Sequence, residues 1–154
     1  MPKSAAAKIS PMTEAHIPSV VEIERASNPS PWSENSLRSE LQNPQARYFV
    51  ASTGGQIVGF CGYWRVIDEA HITNVAVAPS SRNQGIGRQL VCAALEDAAA
   101  AGLRCATLEV RAGNTPAISL YEKLGFAKCA VRKAYYPSNR EDAIVMWLYD
   151  LKSH

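Results

Sequence analysis

The sequence predicts a single α/β domain built around a mixed sheet. Three observations predict it. The chain has 154 residues, enough for one hydrophobic core and too few for two comfortable ones. Residues 47–77 are dense in β-branched, aromatic and alternating apolar positions, interrupted by the turn pair Gly54-Gly55. After residue 80 helical spacing and short apolar runs take turns, as they do when helices cover a sheet.

The elements follow in order. Thr13 is placed to cap a first helix carrying Ile17, Val20, Val21 and Glu24 at helical spacing, and Pro18 is tolerated there only in the first turn. Asn28-Pro29-Ser30-Pro31 breaks the chain. Ser33 caps a second helix with Leu37 and Leu41, which stops before Asn43-Pro44. Residues 47–52 form a strand, and Gln56–Val66 and Glu69–Val77 form two more, with Asp68 near their connection. A helix over 87–101 sets Leu90, Val91, Ala94, Leu95 and Ala98 on one face, and Gly102 ends it. A buried strand at 106–110 precedes a helix at 115–124, which opens with Pro116 and closes at Gly125. A final pair of strands is expected over 126–136 and 143–151. Residues 1–8 read as a short flexible lead and 9–152 as the domain.

Composition narrows the function. With 47% hydrophobic and 19% charged residues the chain reads as soluble and globular. No apolar run approaches the roughly 20 residues that cross a bilayer, and no signal peptide is expected. Sixteen basic against 14 acidic residues leave a net charge of +2, which gives no electrostatic case for direct nucleic-acid or membrane binding. The four cysteines, Cys61, Cys92, Cys105 and Cys129, are scattered among apolar neighbours with no metal-ligand spacing. They read as reduced, mostly buried thiols of a cytoplasmic protein, with no metal and a monomeric state expected.

The most informative stretch runs from Val75-Ala76-Val77 through Arg82-Asn83-Gln84-Gly85-Ile86-Gly87-Arg88. An apolar strand enters a polar loop with two glycines, and an amphipathic helix follows at once. Glycines let backbone N–H groups converge without a Cβ in the way, and the positive end of a helix favours a phosphate. Arg82 and Arg88 flank the turn. Gly85 and Gly87 alone leave a tight turn and a phosphate cradle equally open. The nucleotide P-loop pattern and the dinucleotide fingerprint are both absent.

Arg82-x-x-Gly85-x-Gly87 resembles the Gln/Arg-x-x-Gly-x-Gly/Ala motif with which GNAT acetyltransferases hold the pyrophosphate of acetyl-coenzyme A. The resemblance implies a GNAT-type mixed, largely antiparallel sheet flanked by helices, and covers residues 13–151. It implies that Val75, Ala76 and Val77 offer backbone groups to the acetyl and pantetheine part. Arg82, Asn83, Gln84, Gly85, Ile86, Gly87 and Arg88 would meet the pyrophosphate, and Asn114 would also contact the co-substrate. A narrower similarity rests on Pro31-Trp32-Ser33-Glu34, Leu108-Glu109-Val110-Arg111, Asn114, Leu120-Tyr121-Glu122, Tyr135-Tyr136-Pro137 and Arg140-Glu141-Asp142-Ala143-Ile144-x-Met146. Together, in order, these resemble the RimI-type ribosomal-protein alanine N-acetyltransferases. The resemblance implies acetyl transfer to a protein N-terminus, that of a small-subunit ribosomal protein first among them; other N-termini, lysines, small amines or a non-catalytic acetyl-coenzyme A module stay open.

Acetyl transfer to an amine needs a neutral amine, a polarised thioester and a stabilised leaving thiolate. A protein α-amine titrates at about 7.7–8.0 and lysine at about 10.4, so a modest base suffices for an N-terminus. In the 106–110 strand Leu108 and Val110 point one way, and Glu109 and Arg111 the other. A carboxylate in an otherwise apolar strand marks either a site or an ion pair with a nearby arginine. The resemblance makes Glu109 the general base. Tyr121 is either a core aromatic beside leucines or, by resemblance, the acid facing the departing thiolate. A phenol near 10 is a weaker acid than a thiol near 8.5, so full transfer is uphill unless the site shifts those values, and a hydrogen bond that stabilises the developing thiolate is its main contribution. No cysteine has a histidine placed to activate it, which favours direct attack. His71 reads as a structural histidine or a second base. Trp32 would form one wall of a peptide groove. Tyr135 and Tyr136 would form the other, on opposite faces of a strand.

Overall fold

The computed structural model describes residues 7–137 and 139–151. Most of the expected lead, His154 and the expected domain end at 152 lie outside them. The described residues form an α/β fold with seven strands in the order β1-β2-β3-β4-β5-β7-β6. The chain forms two compact units, Met1–Trp64 with Asn74–Ala94, and Arg65–Thr73 with Leu95–His154.

In the first unit β1 (Lys8–Pro11) pairs antiparallel with β2 (Ala46–Thr53), which pairs antiparallel with β3 (Gln56–Val66). The sequence reading missed β1. Tyr48 to Ala51 and Val58 to Tyr63 are continuously buried, as in strands covered on both faces. One close approach fixes the β2–β3 register. Tyr48 sits opposite Gly62, and a Cβ at Gly62 would fall on the Tyr48 ring. A 3-10 turn at Glu14–His16 leads into α1 (Ile17–Ser27), with Pro18 inside its first turn. α1 buries Ile17, Val20, Val21 and Ile23 against Leu37 of α2 (Glu34–Gln42) and against Val50 and Phe60. The Ser33 hydroxyl accepts the Ser36 N–H at 3.1 Å and starts α2 as expected.

β4 (Glu69–Val77) and α3 (Ile86–Ala100) each begin in one unit and end in the other. In the second unit the start of β4 pairs in parallel with β5 (Cys105–Arg111), from Glu69↔Cys105 to His71↔Thr107. β5 pairs antiparallel with β7 (Ala143–Leu148), which also carries β6 (Ala127–Arg132). α4 (Thr115–Lys123) has Pro116 in its first turn and buries Ile118 and Tyr121. Gly102, at φ +87°, ends α3 in the left-handed conformation glycine adopts freely.

The end of β6 departs from expectation. The strand stops at Arg132, so Tyr135 and Tyr136 lie in the β6–β7 connection and do not alternate across a strand. Ala134 turns to φ +49°, and its N–H donates to Asp142 Oδ1 at 2.9 Å. That side-chain capture takes the backbone donor a continuing strand would have used.

Candidate active site

In the first unit the strand end and the helix start meet in an open, polar turn. Val75, Ala76 and Val77 close β4, a 3-10 turn occupies Pro79–Ser81, and residues 82–85 lead into α3. Asn83 and Gly85 hold positive φ, +64° and +79°, and both are exposed. Such left-handed steps aim successive N–H groups into one concavity, a nest for an anion. The first turn of α3 holds no acidic residue, and Arg88 there is exposed, so the helix dipole is uncontested. Ile86 is 3% exposed; its side chain serves the core, and only its backbone faces the turn. The Gly85 carbonyl accepts the Gln89 N–H, which seats Gly87 in the helix. Arg82 is not a loose cation: its Nε donates to the Val77 carbonyl at 3.1 Å and its Nη2 to Ser27 Oγ at 3.2 Å. It braces the loop against the strand end while staying on its surface.

One polar atom here escaped the sequence reading. Asn74 Oδ1, next to Val75, is buried with no hydrogen-bond partner among the described residues. A buried acceptor without a donor is costly. An amide-bearing ligand lying along β4 would supply the missing donor, so the strand, the orphan acceptor and the anion nest together fit an acyl-coenzyme A. The only cue in the sequence was a lone Asn amid apolar strand residues.

Trp32 lies in the first unit, in the connection before α2, half-buried against the core. Its N–H donates to Glu24 Oε2 at 3.0 Å, and its ring lies 6.5 Å from that of Trp64. Trp64 Nε1 and the Tyr48 hydroxyl both donate to Glu40 Oε1, the latter at 2.7 Å. Trp32 also lines an open recess with Ser33, Ser36, Ser39 and Glu40.

The second unit holds the expected acid and base. Along β5 the pattern is buried at Ala106, Thr107, Leu108 and Val110, with Glu109 exposed between them. The arginine pairing weighed from sequence exists: Arg132 Nε lies 2.9 Å from Glu109 Oε2. Arg132 also sits 5.1 Å over the Tyr135 ring. Partial burial and then the nearby Glu109 carboxylate hold the Tyr135 hydroxyl above the ordinary phenol range. Burial raises Tyr136 as well, against the pull of Arg111, whose guanidinium lies 4.0 Å over its ring. The two tyrosine rings meet edge to face at 5.1 Å. Glu141 secures the same connection, accepting the Gly113 N–H at 2.7 Å and facing Arg111 at 3.5 Å. Asn114 caps α4, accepting from the Ala117 N–H at 3.3 Å. Tyr121 is 7% exposed and packs edge-on to Phe126. His71 pairs with Glu69 at 2.8 Å and meets the edge of Trp147. The four cysteines are free, with Cys61 buried, Cys92 and Cys105 half-buried and Cys129 exposed; the expectation that most are buried holds for Cys61 alone. Among the described residues no helix is long and apolar enough to cross a membrane.

A glycine turn with left-handed steps at a helix start follows a strand that carries an orphan amide acceptor, an arrangement suited to an anionic ligand with amide groups. The profile of the Acetyltransferase (GNAT) family matches residues 17–126, and the chain belongs to this family of acetyl-coenzyme A-dependent enzymes. It is 44% identical over 130 residues to a candidate ribosomal protein bS18-alanine N-acetyltransferase of Bacillus subtilis, covering 84% of this chain and 86% of that one. It is 38% identical over 144 residues to the Escherichia coli ribosomal protein bS18-alanine N-acetyltransferase, covering 91% and 95%. The crystal structure of the ribosomal-protein-S18-alanine N-acetyltransferase from Escherichia coli superposes with a TM-score of 0.87 at 36% identity over 94% of each chain. The Ard1 structure from Thermoplasma volcanium also gives 0.87, at 27% identity over 95% of this chain and 99% of that one.

Proposed function

We propose that this enzyme acetylates the N-terminal α-amine of a protein, the N-terminal alanine of ribosomal protein bS18 foremost. The observation that carries the reading is Glu109, the one outward carboxylate in a strand whose neighbours are buried. The names and 38–44% identities of the relatives support the acceptor. Acetyl-coenzyme A supplies the acetyl group as a thioester. The turn from Arg82 to Arg88 holds its pyrophosphate through backbone N–H groups, and Val75, Ala76, Val77 and Asn74 bind the chain that leads to the thioester. Asn114 adds a contact at the start of α4.

Glu109 takes a proton from the acceptor's α-ammonium, and the neutral amine then attacks the thioester carbonyl. The new C–N bond forms as the C–S bond breaks; Tyr121 donates a hydrogen bond to the departing sulfur, which leaves as coenzyme A thiol with the second proton shed by the attacking nitrogen. Trp32, Tyr135 and Tyr136 each contact the acceptor, their polar tips suited to a peptide backbone and their rings to shielding the thioester. Residues 9–152 act as one catalytic domain, a monomer in the cytoplasm where ribosomal proteins are made.

Mass spectrometry tests this with acetyl-coenzyme A and two peptides. One has a free Ala-Arg N-terminus; the other has a blocked N-terminus and an internal lysine. Acetylation of the first alone is expected. Acetylation of the second alone overturns the acceptor, and modification of neither overturns the α-amine reading.

A further inference from the structure

This inference rests on Glu109 receiving the acceptor amine. In the structure that carboxylate is already held by a cation. Glu109 faces Val145 across β5–β7, and Arg132 faces Ala143 across β6–β7. Val145 and Ala143 are two apart on β7, so both side chains stand on the same face, and Arg132 reaches diagonally over β7 to Glu109 at 2.9 Å. Arg111, the cation next along β5, is committed to Glu141 and the Tyr136 ring.

An arriving protein N-terminus carries its own cation to the same carboxylate. We propose that Arg132 is a built-in stand-in for the acceptor's ammonium, and so a determinant of specificity for charged amine ends. It closes Glu109 while no amine is bound and yields when one arrives. The exchange is cation for cation, so Glu109 keeps a partner until it takes the acceptor's proton, and pairs again once that proton is released to water. The displaced guanidinium is more than half exposed and returns to water at small cost. Acetylation then removes the positive charge from the acceptor. The amide product has no cation with which to hold Glu109, so Arg132 takes the carboxylate back and the product end is displaced. A blocked N-terminus fails at the same step.

Calorimetry tests this with coenzyme A present, so that no turnover occurs. The ligands are the free Ala-Arg peptide and the same peptide N-acetylated. Arg132→Gln removes the competitor: the free peptide is expected to bind about three- to fivefold more tightly, the upper part of the range of an exposed ion pair. The acetylated peptide is expected to change by less than about twofold. Arg132→Lys keeps a cation and should stay near the unaltered enzyme for both. Equal shifts for the two peptides, or weaker binding of the free one, overturn the exchange. Turnover assays separate this from the base assignment. Glu109→Gln with full activity removes Glu109 as base, while the affinities of the Arg132 variants still decide whether the arginine and the amine compete.

Discussion

The Glu24 carboxylate, 2% exposed in α1, accepts the backbone N–H of Trp32 at 3.0 Å. The same oxygen accepts from Asn28 Nδ2 at 3.0 Å. One buried acid therefore fastens the whole connection between α1 and α2 to the helix that precedes it. Glu24→Ala leaves those donors without their acceptor and should cost about 2–3 kcal/mol in urea denaturation. It should also raise the KM for the acceptor peptide and leave coenzyme A affinity alone. A KM that does not move would take Trp32 out of the acceptor groove.

Glu109→Gln preserves the shape of β5 and removes its proton acceptor. The expected result is a loss of about 10²–10⁴ in kcat, followed by thiol release, with coenzyme A affinity retained. Turnover close to normal near neutral pH would mean that another group carries the proton.

Gly85 stands at φ +79°, yet a Cβ built there meets nothing within 4 Å. The constraint on this position is conformational, because a β-branched residue is strained in that region. Gly85→Val should therefore shift the backbone, open the nest and weaken coenzyme A binding measured by calorimetry, with Gly85→Ala milder. Unchanged affinity in both would dissolve the cradle.

The β6–β7 connection should loosen in acid. Glu141 is held below the usual carboxylate range by the Gly113 N–H, with help from Asn139 and Arg111, and Asp142 by the Ala134 N–H and then Lys133. A carboxylate depressed in the folded state stabilises that state fully above its unfolded value, about 3.9–4.3. The contribution disappears as pH falls through the lower folded value. NMR titration should show the Gly113 and Ala134 amides shifting below about pH 4; midpoints at or above the ordinary range would contradict the two contacts.

Thiol labelling should sort the cysteines by burial. Cys61 is fully enclosed, and desolvation pushes its thiol up to about 12. Cys129 lies exposed beside the Tyr149 hydroxyl. At neutral pH a disulfide reagent should modify Cys129 in the native protein and Cys61 only after denaturation.

Local signals made most of this legible. Ser33, Pro18, Gly102 and the Gly54-Gly55 turn act on their immediate neighbours, and the elements they bound fell where expected. β1 was not legible, because four residues ending in proline hold no readable alternation and their pairing is with a strand about 40 positions away. The end of β6 depends on Asp142 capturing the Ala134 N–H, a contact made only once the β6–β7 connection has folded back on itself. The site follows the same division. Glu109 declared itself by standing in an apolar strand, whereas its tie to Arg132 is set by the placement of β7 between their strands. Asn74 gave almost no signal, because an orphaned acceptor is recognised only by its surroundings.

β6 closes the strand order, and all six of its residues are exposed. A bare strand edge invites a second chain to pair along it. Lys128 and Arg132 place positive charge at both ends of this one, and the register slips between Lys128 and Ala130, which spoils its fit to a straight partner. Apolar residues at 128 and 132 would turn this edge into an adhesive border, and such a variant should associate as its concentration rises.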